Sequence, residues 1–242
     1  MNKTVKRKNK MGFLSLLISI SIIICIILFG TPVFHISSII VEGNEYYDEE
    51  EILSQAGINK GMHILKTNKK NVSEKLLELP YLKSAQIDTV FPNVIEIIVT
   101  ERKPIGYVPF SGTYLVIDKV GQVIDQTQSR EVQNLPIIEG LKFDKFALGE
   151  AIELENEDVI IAVVELTSLL EKYNLLDKEI RIDIDSSARM RLYINSLDVI
   201  IGEINNLDKK IQWLCEIIEE YDVGVLDLSN INEGQAVMSP LT

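Results

Sequence analysis

This chain is poor in cysteine and histidine. It has two cysteines, Cys25 and Cys215, in 242 residues. Cys25 lies inside a long apolar run and Cys215 on the apolar stripe of an expected helix, so they cannot meet and no disulfide is expected. Each reads as a small buried hydrophobe. The two histidines, His35 and His63, have no Cys or His at metal-ligand spacing, so no metal is expected. There is no G-x-S-x-G elbow, no phosphate loop and no S-x-x-K. Asp183 and Asp185 form a carboxylate pair at i, i+2. On a strand that spacing places both opposite Ile182 and Ile184, on the solvent face. Glu49, Glu50 and Glu51 open a helix; a calcium loop needs a Gly-centred turn between its oxygen ligands. His63 sits among apolar neighbours, which suits a structural or surface place. Asn71-Val72-Ser73 fits a glycosylation sequon, a short pattern that arises often by chance. With no nucleophile, base and orienter together, the chain reads as a non-enzyme with no catalytic residues, no cofactor and no small-molecule substrate.

Charge is also missing from one long stretch. No Asp, Glu, Lys or Arg occurs from Met11 to Val41. About 20 apolar residues suffice for a helix to cross the bilayer core, so 11–33 is expected to be a transmembrane helix. A cleaved signal peptide is the rival, but its apolar region is shorter, roughly 7–15 residues, and ends in a small-x-small site. This run ends in GTPVFHI. The basic residues Lys3, Lys6, Arg7, Lys8 and Lys10 precede it, so residues 1–10 should stay cytoplasmic. The expected topology is single-pass in the cell membrane, with the bulk outside. The net charge of the whole chain is −12, and the part beyond the basic tail is more acidic still. Phosphate contacts need Lys and Arg, so nucleic acid and anionic lipid are disfavoured as partners.

Beyond the anchor, Ile36, Ile39, Ile40 and Val41 make a short strand stopped by Gly43-Asn44. Asp48 with Glu51 starts a helix in near capping-box form, and Gly57 stops it. A second helix is expected from about Asn68 to Leu79, with Val72, Leu76 and Leu79 on one face and Pro80 at its end. Ala85 and Ile87 alternate with polar neighbours; Phe91-Pro92-Asn93 is a turn; Ile95, Ile97 and Val99 alternate again. The order strand, helix, helix, strand, strand suits one small sheet with both helices on one face. Lys103-Pro104 marks a boundary. Then follow two short strands around residues 119–121, an extended NLPIIEGL, a helix from Asp158 to Tyr173, and the alternating EIRIDIDSS. Two strands in RLYINSLDVIIGE come next. A helix carries Leu207, Ile211, Leu214, Ile218 and Tyr221 at 4, 3, 4, 3 spacing, and VGVLDLS reads as the last strand. No repeat and no low-complexity linker interrupts the chain.

Together IIVEGNEYYDEEEIL, LLELPYLKSAQI and FPNVIEIIVTERKP resemble a POTRA domain, and more narrowly that of the FtsQ/DivIB family of bitopic bacterial cell-division proteins. Val41, Gly43 and Asn44 match its V-x-G-N. Pro80, Leu82 and Ala85 match the pattern before the second strand. Pro92, Ile95, Ile97, Val99, Glu101, Arg102 and Pro104 match its ending. LVIDKVG, LPIIEG, and Gly202 with the Lys209-Lys210 helix and VLDLS are similar to the family's second domain. The resemblance implies an α+β chain: a single N-terminal transmembrane helix, a POTRA domain (β-α-α-β-β) over 34–104, a second mixed β-sheet domain with helices over 105–237, and a tail at 238–242. It implies a non-enzymatic divisome scaffold at the division septum. Its partners would be FtsL-like and FtsB/DivIC-like bitopic coiled-coil proteins, with a septal transpeptidase or glycosyltransferase beyond them. A membrane scaffold for sporulation or protein transport is the alternative. The resemblance places partner binding at Val225, Leu226, Asp227, Leu228, Ser229, Asn230, Ile231, Gly234, Ala236 and Val237. A strand that closes a chain is often an edge strand, which predicts a free edge at VGVLDLS; the rival is an internal strand that completes the sheet.

Overall fold

The computed structural model describes residues 5–130, 134–185, 189–231 and 236–239, with side chains from residue 12 onward except 28 and 29. Two compact units divide between Glu101 and Arg102.

In the first unit the Leu/Ile run forms α1 (Val5–Gly30, 26 residues). Among the described residues, no helix is both long and apolar enough to cross a membrane. A 3-10 turn, Pro32–Phe34, leads into β1 (Ser38–Glu42). α2 (Glu49–Ala56) starts where the Asp48 carboxylate accepts the Glu51 N–H at 2.7 Å and stops at Gly57, φ 65°. α3 (Lys69–Leu76) is capped by Asn68, which accepts the Asn71 N–H. It ends three residues before the expected Leu79. Pro80 excludes the helical conformation only at the residue before it, and the chain leaves the helix earlier through i→i+3 turns, Leu79 N–H to Leu76 and Leu82 N–H to Leu79. β2 (Leu82–Val90) and β3 (Val94–Glu101) complete a three-stranded sheet ordered β1-β3-β2. β1 lies parallel to β3, with Ser38 beside Val94 and Glu42 beside Ile98. Ile95 and Ile97 are fully buried, with Val99 nearly so, as the alternation predicts. Ile52, Ala56, Val72 and Leu76 close the core from the helices.

The second unit holds β4 (Pro104–Phe110), β5 (Thr113–Asp118), β6 (Val123–Thr127), β7 (Ile137–Glu139), α4 (Asp158–Lys172), β8 (Ile180–Ile184), β9 (Met190–Ile194), β10 (Ser196–Gly202), α5 (Leu207–Ile218), β11 (Val223–Asp227) and β12 (Val237–Ser239). They form one nine-stranded mixed sheet, ordered β12-β11-β10-β9-β8-β7-β4-β5-β6. Leu166 and Leu170 of α4 and Ile211 and Leu214 of α5 share one apolar cluster with Ile182, Leu192, Val199 and Leu226 of the strands. The Lys172 ammonium joins the two helices through Asp208 at 2.6 Å.

Sequence reasoning passes over β4 because it contains two prolines, which argue against a strand. The sheet accommodates both. Pro104 is the first residue of the strand. The Tyr107 N–H donates toward the β7 side, to Pro136 O at 2.9 Å. Residue 109 faces the same way, and the β7 pairing extends only to Tyr107. Being proline, residue 109 has no N–H to give, and the pairing with β7 stops before it.

Candidate partner-binding edge

β11 runs parallel to β10 and antiparallel to β12. VGVLDLS is therefore an inner strand, and the edge expected there belongs to β12. The expectation failed because it took VGVLDLS for the closing strand. A three-residue strand such as VMS carries too little periodicity to be read in advance.

The register tells which groups meet the edge. The Leu228 N–H donates to Ile200 O at 2.9 Å, so even-numbered residues of this segment turn their backbone to β10. Val225 and Asp227 turn theirs to Ser239 and Val237. Met238 alone of the three β12 residues then directs its N–H and C=O outward.

The side chains of the expected binding residues divide. Leu226, Leu228 and Ile231 are fully buried and hold the sheet on its helices. Val225, Asp227, Ser229 and Ala236 are half-buried, Asn230 is exposed, and Val237 is 54% exposed. Gly234 lies outside the described residues. The Asp227 carboxylate accepts from the Ser229 N–H at 2.8 Å and the Ser229 hydroxyl at 2.6 Å, closing a turn at the end of β11.

Behind that turn stands Lys210, which sequence reasoning noted in a motif without giving it a role. It is fully buried. Its ammonium donates to Ile201 O at 2.8 Å, Glu203 O at 2.7 Å and Asn205 Oδ1 at 3.4 Å. Burial lowers its pKa, while Glu203 and Asp227 oppose that shift. It thus holds the loop after β10. Gly202, the last residue of β10, has φ 70°, and a Cβ there would lie 3.0 Å from the Ser229 Cβ. The signal was available: Leu207, Lys210, Ile211 and Leu214 share the helical spacing of one apolar face, and a lysine in that series needs partners.

The first-unit motifs also acquire roles. The Glu101 carboxylate accepts the N–H groups of Glu45, Tyr46 and Tyr47 at 3.0, 2.6 and 3.1 Å. It fastens the loop after β1 to the end of β3. Gly43 has φ 85°, and a Cβ there would meet Val99 O at 2.1 Å, so glycine is required. The next residue, Arg102, pairs with buried Asp118 at 2.8 Å. Asp118 also accepts from Val120 and Gln122 N–H, which fixes the turn at Gly121.

The remaining polar residues stand apart. Asp183 is exposed on β8, and Asp185 accepts from Arg189 Nε at 3.0 Å. His63 accepts the Leu65 N–H at its Nδ1, starting a short 3-10 turn. Among the described residues, no group of three or more His, Cys, Asp or Glu is placed to hold a metal ion.

Comparison with known proteins adds to this geometry. Residues 34–102 match the family model described as "POTRA domain, FtsQ-type", and 106–229 match "Cell division protein FtsQ/DivIB, C-terminal". A "Cell division protein DivIB" of Clostridium botulinum strain Hall is 28% identical over 236 residues, 94% of this chain and 90% of that protein. The DivIB of Staphylococcus aureus strain NCTC 8325 is 23% identical over 76% of this chain and 39% of its own length. That of Geobacillus kaustophilus is 31% identical over 53% of this chain and 49% of its own.

Proposed function

Because the chain belongs to the FtsQ/DivIB family of cell-division proteins, we propose that it is a non-enzymatic, single-pass membrane scaffold of the division machinery. It binds FtsL-like and FtsB/DivIC-like coiled-coil proteins and through them influences septal peptidoglycan synthesis. α1 is its anchor, on the strength of the charge-free run from Met11 to Val41 behind a basic tail. The POTRA domain spans 34–104 and the second domain 105–237.

The observation that carries the reading is the sheet end at β12. A partner strand laid there gains the outward N–H and C=O of Met238, and exposed Val237 supplies an alternate side chain. Val225, Asp227, Ser229, Asn230 and Ala236 set the surrounding surface, while Leu226, Leu228 and Ile231 hold it from within.

Proline scanning of the full chain tests the edge, because proline removes one backbone donor. Met238→Pro should fold normally and co-purify poorly with the coiled-coil partners. Val237→Pro, whose N–H turns to β11, should loosen β12 as well. Full partner recovery by both variants would overturn the docking site. A fluorescent fusion should gather at the septum; a uniform distribution would point to another membrane process.

A further inference from the structure

The acidity of the whole chain conceals a segregation of charge along the first unit. Between Ile52 and Ser73 there is no Asp or Glu, yet Lys60, Lys66, Lys69 and Lys70 all fall there. Lys69 and Lys70 have acidic neighbours, Asp88 at 3.8 Å and Glu74 at 3.7 Å. Lys60 and Lys66 are exposed.

The fold brings this segment to the end of α1. The Ile36 N–H donates to Met62 O, and the Gly61 N–H to Ile36 O, both at 2.8 Å. His35 and His63 form a bridge beside them. The Ser37 N–H donates to Asn93 O at 2.9 Å, which draws the β2–β3 turn to the same end of the sheet. Three large apolar side chains stand exposed there: Met62 at 38%, Leu65 at 46% and Phe91 at 62%. Glu42 closes β1 at the opposite end, and Glu45, Glu49, Glu50 and Glu51 follow it. Five strand residues span about 17 Å. That is about twice the screening length at physiological salt, so a charged surface meets the two ends separately.

We propose that the end of the first unit beside α1 is a membrane-contact surface, where Lys60 and Lys66 take anionic lipid headgroups and Met62, Leu65 and Phe91 lie at the headgroup–acyl boundary. Charge complementarity and continuity with α1 name the occupant. Basic residues near a membrane are drawn to anionic lipid, and apolar side chains among them enter the boundary layer. The acidic end is repelled by the same lipid, so the contact also orients the unit. The proposal rests on the reading of α1 as the anchor.

The test places the full chain, with Cys25→Ala and Cys215→Ala, in nanodiscs carrying a lipid-attached quencher. An environment-sensitive fluorophore is attached at one of three introduced cysteines: Ile20→Cys in α1, Leu65→Cys, or Glu50→Cys at the far end of the unit. With phosphatidylglycerol in the disc, Ile20 and Leu65 should be quenched several-fold more than Glu50. Lys60→Glu/Lys66→Glu, or phosphatidylcholine alone, should return Leu65 toward the level of Glu50. An unquenched Ile20 would overturn the anchor itself. A quenched Ile20 with Leu65 no different from Glu50 would overturn this proposal and leave the anchor standing. Quenching at Leu65 that ignores both lipid charge and the lysine reversal would overturn the headgroup contact.

Discussion

In each unit a charged side chain gathers backbone groups of a loop, Glu101 in the first and Lys210 in the second, and the two do it under opposite conditions. Glu101, half-buried, collects three N–H donors at the rim of a small sheet. Lys210, fully buried, collects two carbonyls and an amide oxygen beneath a large one. At the rim, water can replace a lost partner. The buried Ile201 carbonyl has no such replacement and would keep its desolvation cost. Similar bonds should therefore differ in what their loss does.

A purely apolar deletion sets the scale for both clamps. Ile97→Ala removes a fully buried side chain from β3 and should cost about 2–5 kcal/mol. It should be read as faster amide exchange across β3; unchanged exchange would mean that the packing of the first unit has been misread. Lys210→Met keeps the bulk but strands the buried carbonyl of Ile201, and should cost about 1–3 kcal/mol. Trp213, the chain's single tryptophan, lies in α5 and reports urea unfolding of that region by fluorescence. Parent-like stability would break the comparison. Glu101→Ala frees N–H groups that water can reach and should cost about 1–2 kcal/mol. Its signature is rapid exchange at Glu45, Tyr46 and Tyr47; a loss as large as that of Lys210→Met would erase the distinction between rim and interior.

The smallest effect appears in alkali, where the two units should respond with opposite sign. Burial raises the Tyr47 pKa above its ordinary 10.0, partly offset by the hydrogen bond from the Tyr81 N–H. The unfolded chain then loses that proton first, and the contribution of Tyr47 to stability falls as pH rises past 10. Burial lowers the Lys210 pKa below its ordinary 10.5. Between the lowered value and 10.5 the unfolded chain binds the proton more tightly, so the Lys210 contribution rises with pH through that window. Parent minus Lys210→Met isolates the rise, and parent minus Tyr47→Phe the fall. Matching slopes in either pair would remove the assigned group from the account.

What could be read in advance depended on period and length. β3 announced itself because Ile95, Ile97 and Val99 alternate within it, and α5 because its stripe holds for three turns. β4 was hidden by Pro109, which sits at the end of its pairing with β7. β12 was too short to show a period, and that one omission turned an inner strand into an apparent edge. Asp48 and Gly57 act as cap and stop where local chemistry predicted them. Lys210 was visible as an anomaly on an apolar stripe, but its partners lie in the loop after β10, and only the fold brings that loop over it. For Glu101 and Gly43 the family pattern gave the positions, and the tertiary contacts supply the reasons.

The brevity of β12 bears on protein quality control. A sheet end in a crowded compartment invites any extended chain to stack on it, and long flat edges are sites where aggregation begins. Within the described residues β12 spans three residues, and the alternation leaves one of them facing out. Over the described residues, one residue's pair of hydrogen bonds offers little to a stray strand or a growing stack. Under the docking proposed above, a partner that stays would owe its hold to side chains fitted to the neighbouring surface.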